Sequence, residues 1–107
     1  MADTLPGLAL SFVSGRFRGG EFPLPDDREV LVGREESNDI QLNETGVSRV
    51  HAKLIMEQGR LELRDLNSTN GTFVNGQRAT RASLKEGDRV LIGQSIMLVT
   101  RDRGWAT

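Results

Sequence analysis

The chain has 107 residues, of which 36% are hydrophobic and 27% charged, a balance typical of one globular domain and not of a disordered or low-complexity protein. It carries 14 Lys and Arg against 15 Asp and Glu, for a formal net charge of −1, whereas proteins that bind nucleic acid through their charge are much more basic. It has no cysteine and one histidine, which excludes thiol catalysis, disulfides and cysteine-based or multi-histidine metal sites.

The first third of the chain alternates apolar with small or polar residues, as β-strands do. The alternation is clear over Leu8–Phe12 and again, beside prolines, over Phe22–Leu24. Because proline cannot donate a hydrogen bond to a neighbouring strand, the second of these segments suits the edge of a sheet. Glu29–Val32 is a short β-branched segment that ends at Gly33, and it predicts a third strand.

The later part of the chain predicts two hairpins. Ala52–Glu57 and Arg60–Asp65 flank Gln58-Gly59, and such a turn between alternating segments indicates two antiparallel strands. Phe73-Val74 leads into Asn75-Gly76, which is the strongest two-residue hairpin signal in the chain. The last two strands are predicted at Arg89–Ile92 and Ser95–Thr100, with Gly93-Gln94 between them.

No segment repeats apolar residues at helical spacing for several turns, and the nearest candidate, Thr80–Lys85, is one turn at most. Short strands separated by frequent turns predict an all-β sandwich or barrel. Two polar segments, Glu35–Ser48 and Asp65–Thr72, lack alternation and are rich in Asn, Ser and Thr. We expect both to be ordered loops, where rigid β scaffolds carry their function.

Three clusters of hydrogen-bond donors lie in these loops or at their ends: Gly33-Arg34, Ser48–His51 and Asn67–Thr72. Together they supply two guanidinium groups, several hydroxyls and side-chain amides. The planar fork of arginine matches the oxygens of a phosphate or carboxylate. Since the clusters contain no paired acid and base, they predict a site that holds an anion and does not react with it.

In order and spacing, the clusters resemble the motifs of the forkhead-associated (FHA) domain. Gly-Arg is followed 14 residues later by Ser-x-x-His, and Asn-x-Thr-Asn-Gly-Thr follows a hairpin. Asn75-Gly76, Glu86-Gly87-Asp88 and Ile92-Gly93 extend the resemblance, which covers Leu8 to about Thr100. The resemblance implies an all-β fold, a β-sandwich of about eleven mostly antiparallel strands, with loops at one end that bind phosphothreonine peptides.

The resemblance also implies a role for each matched residue. Arg34 and Ser48 are expected to contact the phosphate directly, and Thr69 to lie beside it, near the phosphothreonine methyl group. Arg49 occupies a variable position that often touches the peptide or the phosphate, and Asn70 is expected to bond the peptide backbone. The remaining matched residues are expected to hold the loops: Gly33, His51, Asn67, Gly71 and Asn75.

Other interpretations of these residues are weaker. Ser48 and His51 could act as nucleophile and base, but no carboxylate is evidently placed to orient the imidazole, and a lone histidine more often fastens a loop. The segment from Asp65 begins like an EF-hand calcium loop, but Asn70 and Gly76 stand where that loop needs Gly and an acid.

Two further positions have a structural and a functional interpretation. Asn67 can cap a turn through its own side chain, since asparagine tolerates a left-handed backbone, and we favour this role over ligand contact. Arg16 and Arg18 in the first turn could extend a positive rim around the site. We favour the interpretation that both are solvated residues at the tip of a hairpin.

The sequence thus predicts a single domain over residues 1–107, with its core at about 8–100 and a tail at 101–107 that ends the domain or begins a linker. Its apolar runs are far shorter than the ~20 residues of a membrane span, and the first residues lack a secretory-signal pattern. We expect a cytoplasmic monomer that needs no cofactor or metal and binds neither nucleic acid nor membrane.

The expected function is non-enzymatic binding of phosphothreonine in Ser/Thr kinase signalling. The domain would recruit a phosphorylated partner or clasp a phosphorylated segment of its parent protein. The alternative is a phosphorylation-independent interaction domain that uses the faces of the same sandwich.

Overall fold

The computed structural model describes residues 7–102. Of the tail predicted at 101–107, residues 103–107 lie outside the described part, and Arg101 belongs to a strand. Within that part the chain forms eleven strands. In chain order they are β1 Leu8–Phe12, β2 Glu21–Pro23, β3 Val30–Gly33, β4 Ile40–Gln41, β5 Ala52–Glu57, β6 Arg60–Asp65, β7 Phe73–Val74, β8 Gln77–Arg78, β9 Arg81–Leu84, β10 Arg89–Ile92 and β11 Ser95–Arg101.

The strands form two sheets. One has six strands in the order β2-β1-β11-β10-β7-β8, and the other has five in the order β4-β3-β5-β6-β9. The pairing is antiparallel except between β3 and β4, which run parallel. The predicted class, a β-sandwich of mostly antiparallel strands, is confirmed. Between residues 7 and 102 there is no helix, and hence none that could cross a membrane.

The core lies between the sheets because alternate residues of each strand point inward. In β6, for example, Leu61 and Leu63 are buried while Glu62 and Arg64 are less so. Full burial of a leucine or valine side chain stabilises the fold by about 1.5–3 kcal/mol. The buried cluster consists of Leu10, Phe12, Val30, Val32, Ile40, Leu42, Val47, Ala52, Leu54, Leu61, Leu63, Leu84, Val90, Ile92, Met97 and Val99.

Both predicted hairpins are confirmed, and their turns explain the local sequence. Gln58 and Gly59 have φ values of 54° and 78°, and Asn75 and Gly76 have values of 51° and 85°. Two successive positive φ angles are the signature of the type I′ turn, whose twist matches that of the flanking strands. The edge position predicted for the second segment is also confirmed, since β2 ends the six-stranded sheet.

Two strands lie where the sequence predicted none. β4 falls inside the expected loop Glu35–Ser48, and its two residues are too few to show alternation. β9 occupies most of Thr80–Lys85, the segment nearest to a helical pattern, because Arg81–Leu84 pairs with β6. Both strands are fixed by partners that are distant in sequence, and periodicity cannot detect such pairing.

The register places six loops at one end of the sandwich. β1 and β11 run antiparallel, with Leu8 opposite Arg101 and Phe12 opposite Met97. The loops that follow β1, β3, β4, β6, β8 and β10 share an end, and Leu8 and Arg101 lie side by side at the other. The turn at Asn75-Gly76 and the loop between β9 and β10 also lie at that far end.

Candidate functional site

An open cavity of about 490 Å³ lies at the loop end of the sandwich. Its wall includes three of the four residues predicted to bind phosphate, Arg34, Ser48 and Thr69, together with Asn70 and the loop that contains residues 43–47. The side chain of Arg49 is exposed and does not belong to this wall. The structure therefore brings together all of the predicted ligand contacts except Arg49.

Arg34 is positioned by its own backbone and by one side-chain nitrogen. It follows directly on β3, and its N–H donates to the Ser48 carbonyl at 2.9 Å. Its Nε donates to the Val47 carbonyl at 3.1 Å. Because Nε is thus engaged, the two terminal nitrogens are the part of the fork available to an anion.

Ser48 is held from both sides while its hydroxyl hydrogen stays available. Its backbone N–H donates to Nδ1 of His51 at 3.0 Å, and its Oγ accepts the backbone N–H of Thr69 at 3.1 Å. A serine hydroxyl can accept and donate at the same time. Ser48 can therefore accept from Thr69 and donate to an anion in the cavity.

His51 is fully buried beneath the loops. Since Nδ1 accepts the Ser48 N–H, the ring proton lies on Nε2, which donates to the Gly71 carbonyl at 2.9 Å. A carboxylate is nearby after all, because Asp65 Oδ1 is 4.0 Å from Nε2. The imidazole bonds the amide of Ser48 and not its hydroxyl, so the two side chains do not form a nucleophile–base pair.

Asp65 organises the loop from β6 to β7, a role that the sequence did not predict. It accepts hydrogen bonds from Ser68 N at 2.9 Å, from Ser68 Oγ at 2.6 Å and from Thr72 Oγ1 at 2.6 Å. Burial raises the pKa of Asp65, but the bonds from Ser68 and Thr72 outweigh it and leave the pKa below its usual value. An acid three residues before a serine at a strand end is the signal that could have found it.

Asn67 and Gly71, which were predicted to hold the loops, and Asn70, which was predicted to bind the peptide, all lie in the same loop. Asn67 has a left-handed backbone with φ of 59°, as the turn-capping interpretation requires. The Asn70 side-chain amide donates to the Gly46 carbonyl at 3.0 Å, which joins this loop to the one before β5. Gly71 has φ of 93°, and its N–H donates to Ser68 Oγ at 2.9 Å.

Gly33 allows two loops to approach each other. A Cβ atom there would collide with the Arg49 carbonyl and come within 2.8 Å of Asn38 Nδ2. That amide in turn donates to the carbonyls of Glu35 at 2.7 Å and Arg49 at 2.8 Å. Asn38 is a second residue that sequence reasoning missed, and an asparagine inside a polar loop gives no signal of such a role.

Asn75 holds a different part of the molecule. Its Nδ2 donates to Asp88 Oδ1 at 3.1 Å, and its Oδ1 accepts Arg89 N–H at 3.0 Å. These contacts join two turns at the end opposite the cavity. Arg16 and Arg18 do not line the cavity either. Asn75 therefore supports the scaffold and not the candidate site.

The cavity wall carries one positive and one negative side chain. Its charged wall residues are Arg34 and Glu44, and both Glu44 oxygens already accept hydrogen bonds, from Gln94 N and Ser95 Oγ. The wall also offers the terminal nitrogens of Arg34 and the hydroxyl hydrogen of Ser48 as free donors. Nothing on the wall pairs an acid with a base, which a proton-transfer mechanism needs.

Comparison with known proteins gives one consistent family. The model of the FHA domain matches residues 30–93. An ABC transporter ATP-binding/permease protein of Mycobacterium tuberculosis is 49% identical over 73 residues, which are 68% of this chain and 8% of the transporter. The oxoglutarate dehydrogenase inhibitor of Corynebacterium efficiens is 37% identical over 94 residues, which are 87% of this chain and 66% of the inhibitor.

The fold has a close counterpart among solved structures. One structure, described as part of a study of phosphothreonine-dependent FHA domain interactions, superposes with a TM-score of 0.80 at 32% identity. The match covers 89% of this chain and 96% of that one. The chain thus has the length of the solved domain, whereas it spans about two thirds of the inhibitor and a small part of the transporter.

Proposed function

The chain belongs to the FHA domain family, and from that we propose that it is a phosphothreonine-binding module of Ser/Thr kinase signalling. It recruits a phosphorylated partner, or binds a phosphorylated segment of its own parent protein, and catalyses no reaction. Its core spans about residues 8–100, and it acts as a monomer in the cytoplasm.

The observation that carries this proposal is the convergence of Arg34, Ser48 and Thr69 on one cavity. A phosphothreonine carries a charge of about −1.5 to −2 at pH 7 and offers three acceptor oxygens. The terminal nitrogens of Arg34 and the hydroxyl of Ser48 supply the charge and the kind of donors that such a group needs. The phosphothreonine-dependent interactions of the similar solved domain support the same ligand.

Each residue has a distinct part in the proposed complex. Arg34 and Ser48 bind the phosphate oxygens, and Thr69 lies beside the phosphothreonine methyl group. The side-chain amide of Asn70 donates one hydrogen to the Gly46 carbonyl. Its side-chain oxygen and its second amide hydrogen can therefore bond the peptide backbone. Because the side chain of Arg49 is outside the cavity wall, we assign it to the flanking peptide and not to the phosphate.

The test is a titration with matched peptides. A degenerate phosphothreonine library selects the sequence that this domain binds best, and calorimetry then compares that peptide with its unphosphorylated form. We expect binding of the phosphorylated peptide alone. Equal binding of both forms would overturn the proposal in favour of the phosphorylation-independent interaction domain.

A further inference from the structure

We propose that Glu44 is a positioning residue for the phosphate-binding loop, by which we mean residues 43–48. It fastens this loop to the turn between β10 and β11, and so determines where Val47 and Ser48 present their groups to the ligand. The inference rests on the function proposed above. It adds a residue that lies outside the motifs recognised in the sequence.

The fastening uses both oxygens of the carboxylate. Oε1 of Glu44 accepts the backbone N–H of Gln94 at 2.8 Å, and Oε2 accepts the hydroxyl of Ser95 at 2.7 Å. Ser95 is fully buried, so its bond is shielded from competing water. Hydrogen bonds to a charged group are about twice as strong as neutral ones, which suits Glu44 to hold two segments 50 residues apart.

The loop and the turn also fit each other closely. A Cβ atom on Gly93 would come within 2.6 Å of Glu44 Oε1 and 2.7 Å of Val47 Cγ2. Val47 is buried and donates its N–H to the Glu44 carbonyl at 3.1 Å. Its own carbonyl accepts Nε of Arg34. A shift of Glu44 is therefore passed to Val47, and from there to Arg34 and Ser48.

The charge of Glu44 makes this role distinguishable from a direct electrostatic one. Glu44 belongs to the wall of the cavity that would receive a phosphate, and like charges repel. Removing the charge alone should therefore tighten phosphate binding, whereas losing the fastening should weaken it. The two effects have opposite signs, so a pair of substitutions separates them.

The experiment compares Glu44→Ala with Glu44→Gln. Alanine removes both bonds, and we expect the selected phosphothreonine peptide to bind about tenfold more weakly. A tenfold change corresponds to roughly the free energy of one hydrogen bond. Glutamine keeps an oxygen for Gln94 N, and its amide can donate to the Ser95 hydroxyl. We expect it to bind within about twofold of the wild type, or more tightly.

Asp88→Ala is the matched control, because Asp88 makes a similar fastening at the opposite end. It accepts Lys85 N at 2.9 Å and Asn75 Nδ2 at 3.1 Å. We expect this variant to melt at a lower temperature with unchanged peptide affinity. Wild-type affinity in Glu44→Ala, or binding as weak in Glu44→Gln as in Glu44→Ala, would overturn the positioning role.

Amide hydrogen exchange of the peptide-free protein provides a measurement that does not depend on the ligand. Loss of the fastening should speed exchange at Val47 and Ser48 in Glu44→Ala and leave it unchanged in Asp88→Ala. If the wild type binds no phosphothreonine peptide, the proposed function fails, while exchange still decides the fastening. If Glu44→Ala does not fold, Ser95→Ala is used instead, because it removes one of the two bonds. Slower or unchanged amide exchange at Val47 and Ser48 in that variant would overturn the inference.

Discussion

Arg34 bonds the protein through Nε, and in the proposed complex its terminal nitrogens bind the phosphate. Truncating one side of a desolvated charge pair costs about 2–5 kcal/mol, so Arg34→Ala should weaken phosphopeptide binding about 30-fold or more at ~1.4 kcal/mol per tenfold. Arg34→Lys should restore only part of the affinity, because a point charge lacks the fork. Calorimetry measures both, with Arg60→Ala at the far end as the control. Wild-type affinity in Arg34→Ala would contradict the assignment.

His51 and Asn70 differ in what their loss should do. Removing His51 leaves Ser48 N–H and the Gly71 carbonyl without their partner, and a buried unsatisfied group costs about 1–3 kcal/mol. His51→Ala should therefore lower the melting temperature, and affinity should fall as a secondary effect. Asn70→Ala should barely change melting and should clearly reduce affinity, because its bond to Gly46 is exposed. A His51→Ala variant that melts like the wild type yet does not bind would place His51 in the site itself.

The sequence predicted which residues line the cavity better than it predicted the residues that support them. Arg34, Ser48 and Thr69 could be identified because each belongs to a short motif with fixed spacing. Glu44 could not be assigned in this way, since Gln94 and Ser95 become its neighbours only when separate segments fold together. Asp65 bonds Ser68 and Thr72 of its own loop, but it lies outside the recognised motifs. The tautomer of His51 likewise depends on which backbone groups the fold brings to its two nitrogens.

At the scale of an element, the β6–β7 loop depends on the ionised form of Asp65. Its folded-state pKa is below the ordinary value, so the unfolded chain takes up the proton first as the pH falls. The stability contributed by Asp65 is therefore complete above its unfolded pKa of about 3.9 and is lost as the pH falls through the folded value. Asp65→Asn should unfold more easily at neutral pH and lose less stability on acidification. Urea unfolding at neutral and acidic pH measures this, and an unchanged acid dependence would contradict it.

Strands were predictable where their partners are adjacent in sequence. The hairpins around Gln58-Gly59 and Asn75-Gly76 carry their own turn chemistry, and alternation marks their strands. β4 and β9 have no such local mark, because β4 is fixed by a parallel strand across an intervening loop and β9 by pairing with β6. Local pattern therefore gave the fold class, and tertiary pairing supplied the remaining strands.

At the scale of the whole molecule, recognition should depend on the shape and charge of the ligand. Phosphothreonine has a second pKa of about 6 and three acceptor oxygens, whereas a carboxylate has two oxygens, less charge and a shorter reach. A Glu substitute should therefore bind poorly or not at all, and the phosphopeptide should bind more weakly at about pH 5.5 than at about pH 7.5 as the phosphate gains a proton. Calorimetry with both peptides at both pH values is the measurement. Equal affinity for the Glu and phosphothreonine peptides would mean that the cavity responds to negative charge in general.

The side-by-side exit of Leu8 and Arg101, at the end away from the cavity, sets a minimum reach for any tethered ligand. β11 has seven residues, and a strand advances about 3.3 Å per residue. The distance along the sandwich from this end to the loop end is therefore about 23 Å. At full extension a tether needs about seven residues to cover that distance before it can turn into the cavity. A phosphothreonine on a shorter tether cannot reach the cavity of its own molecule, and it can bind only the cavity of a second molecule. The length of a flanking segment thus determines whether the domain can be occupied from within or only by a separate chain.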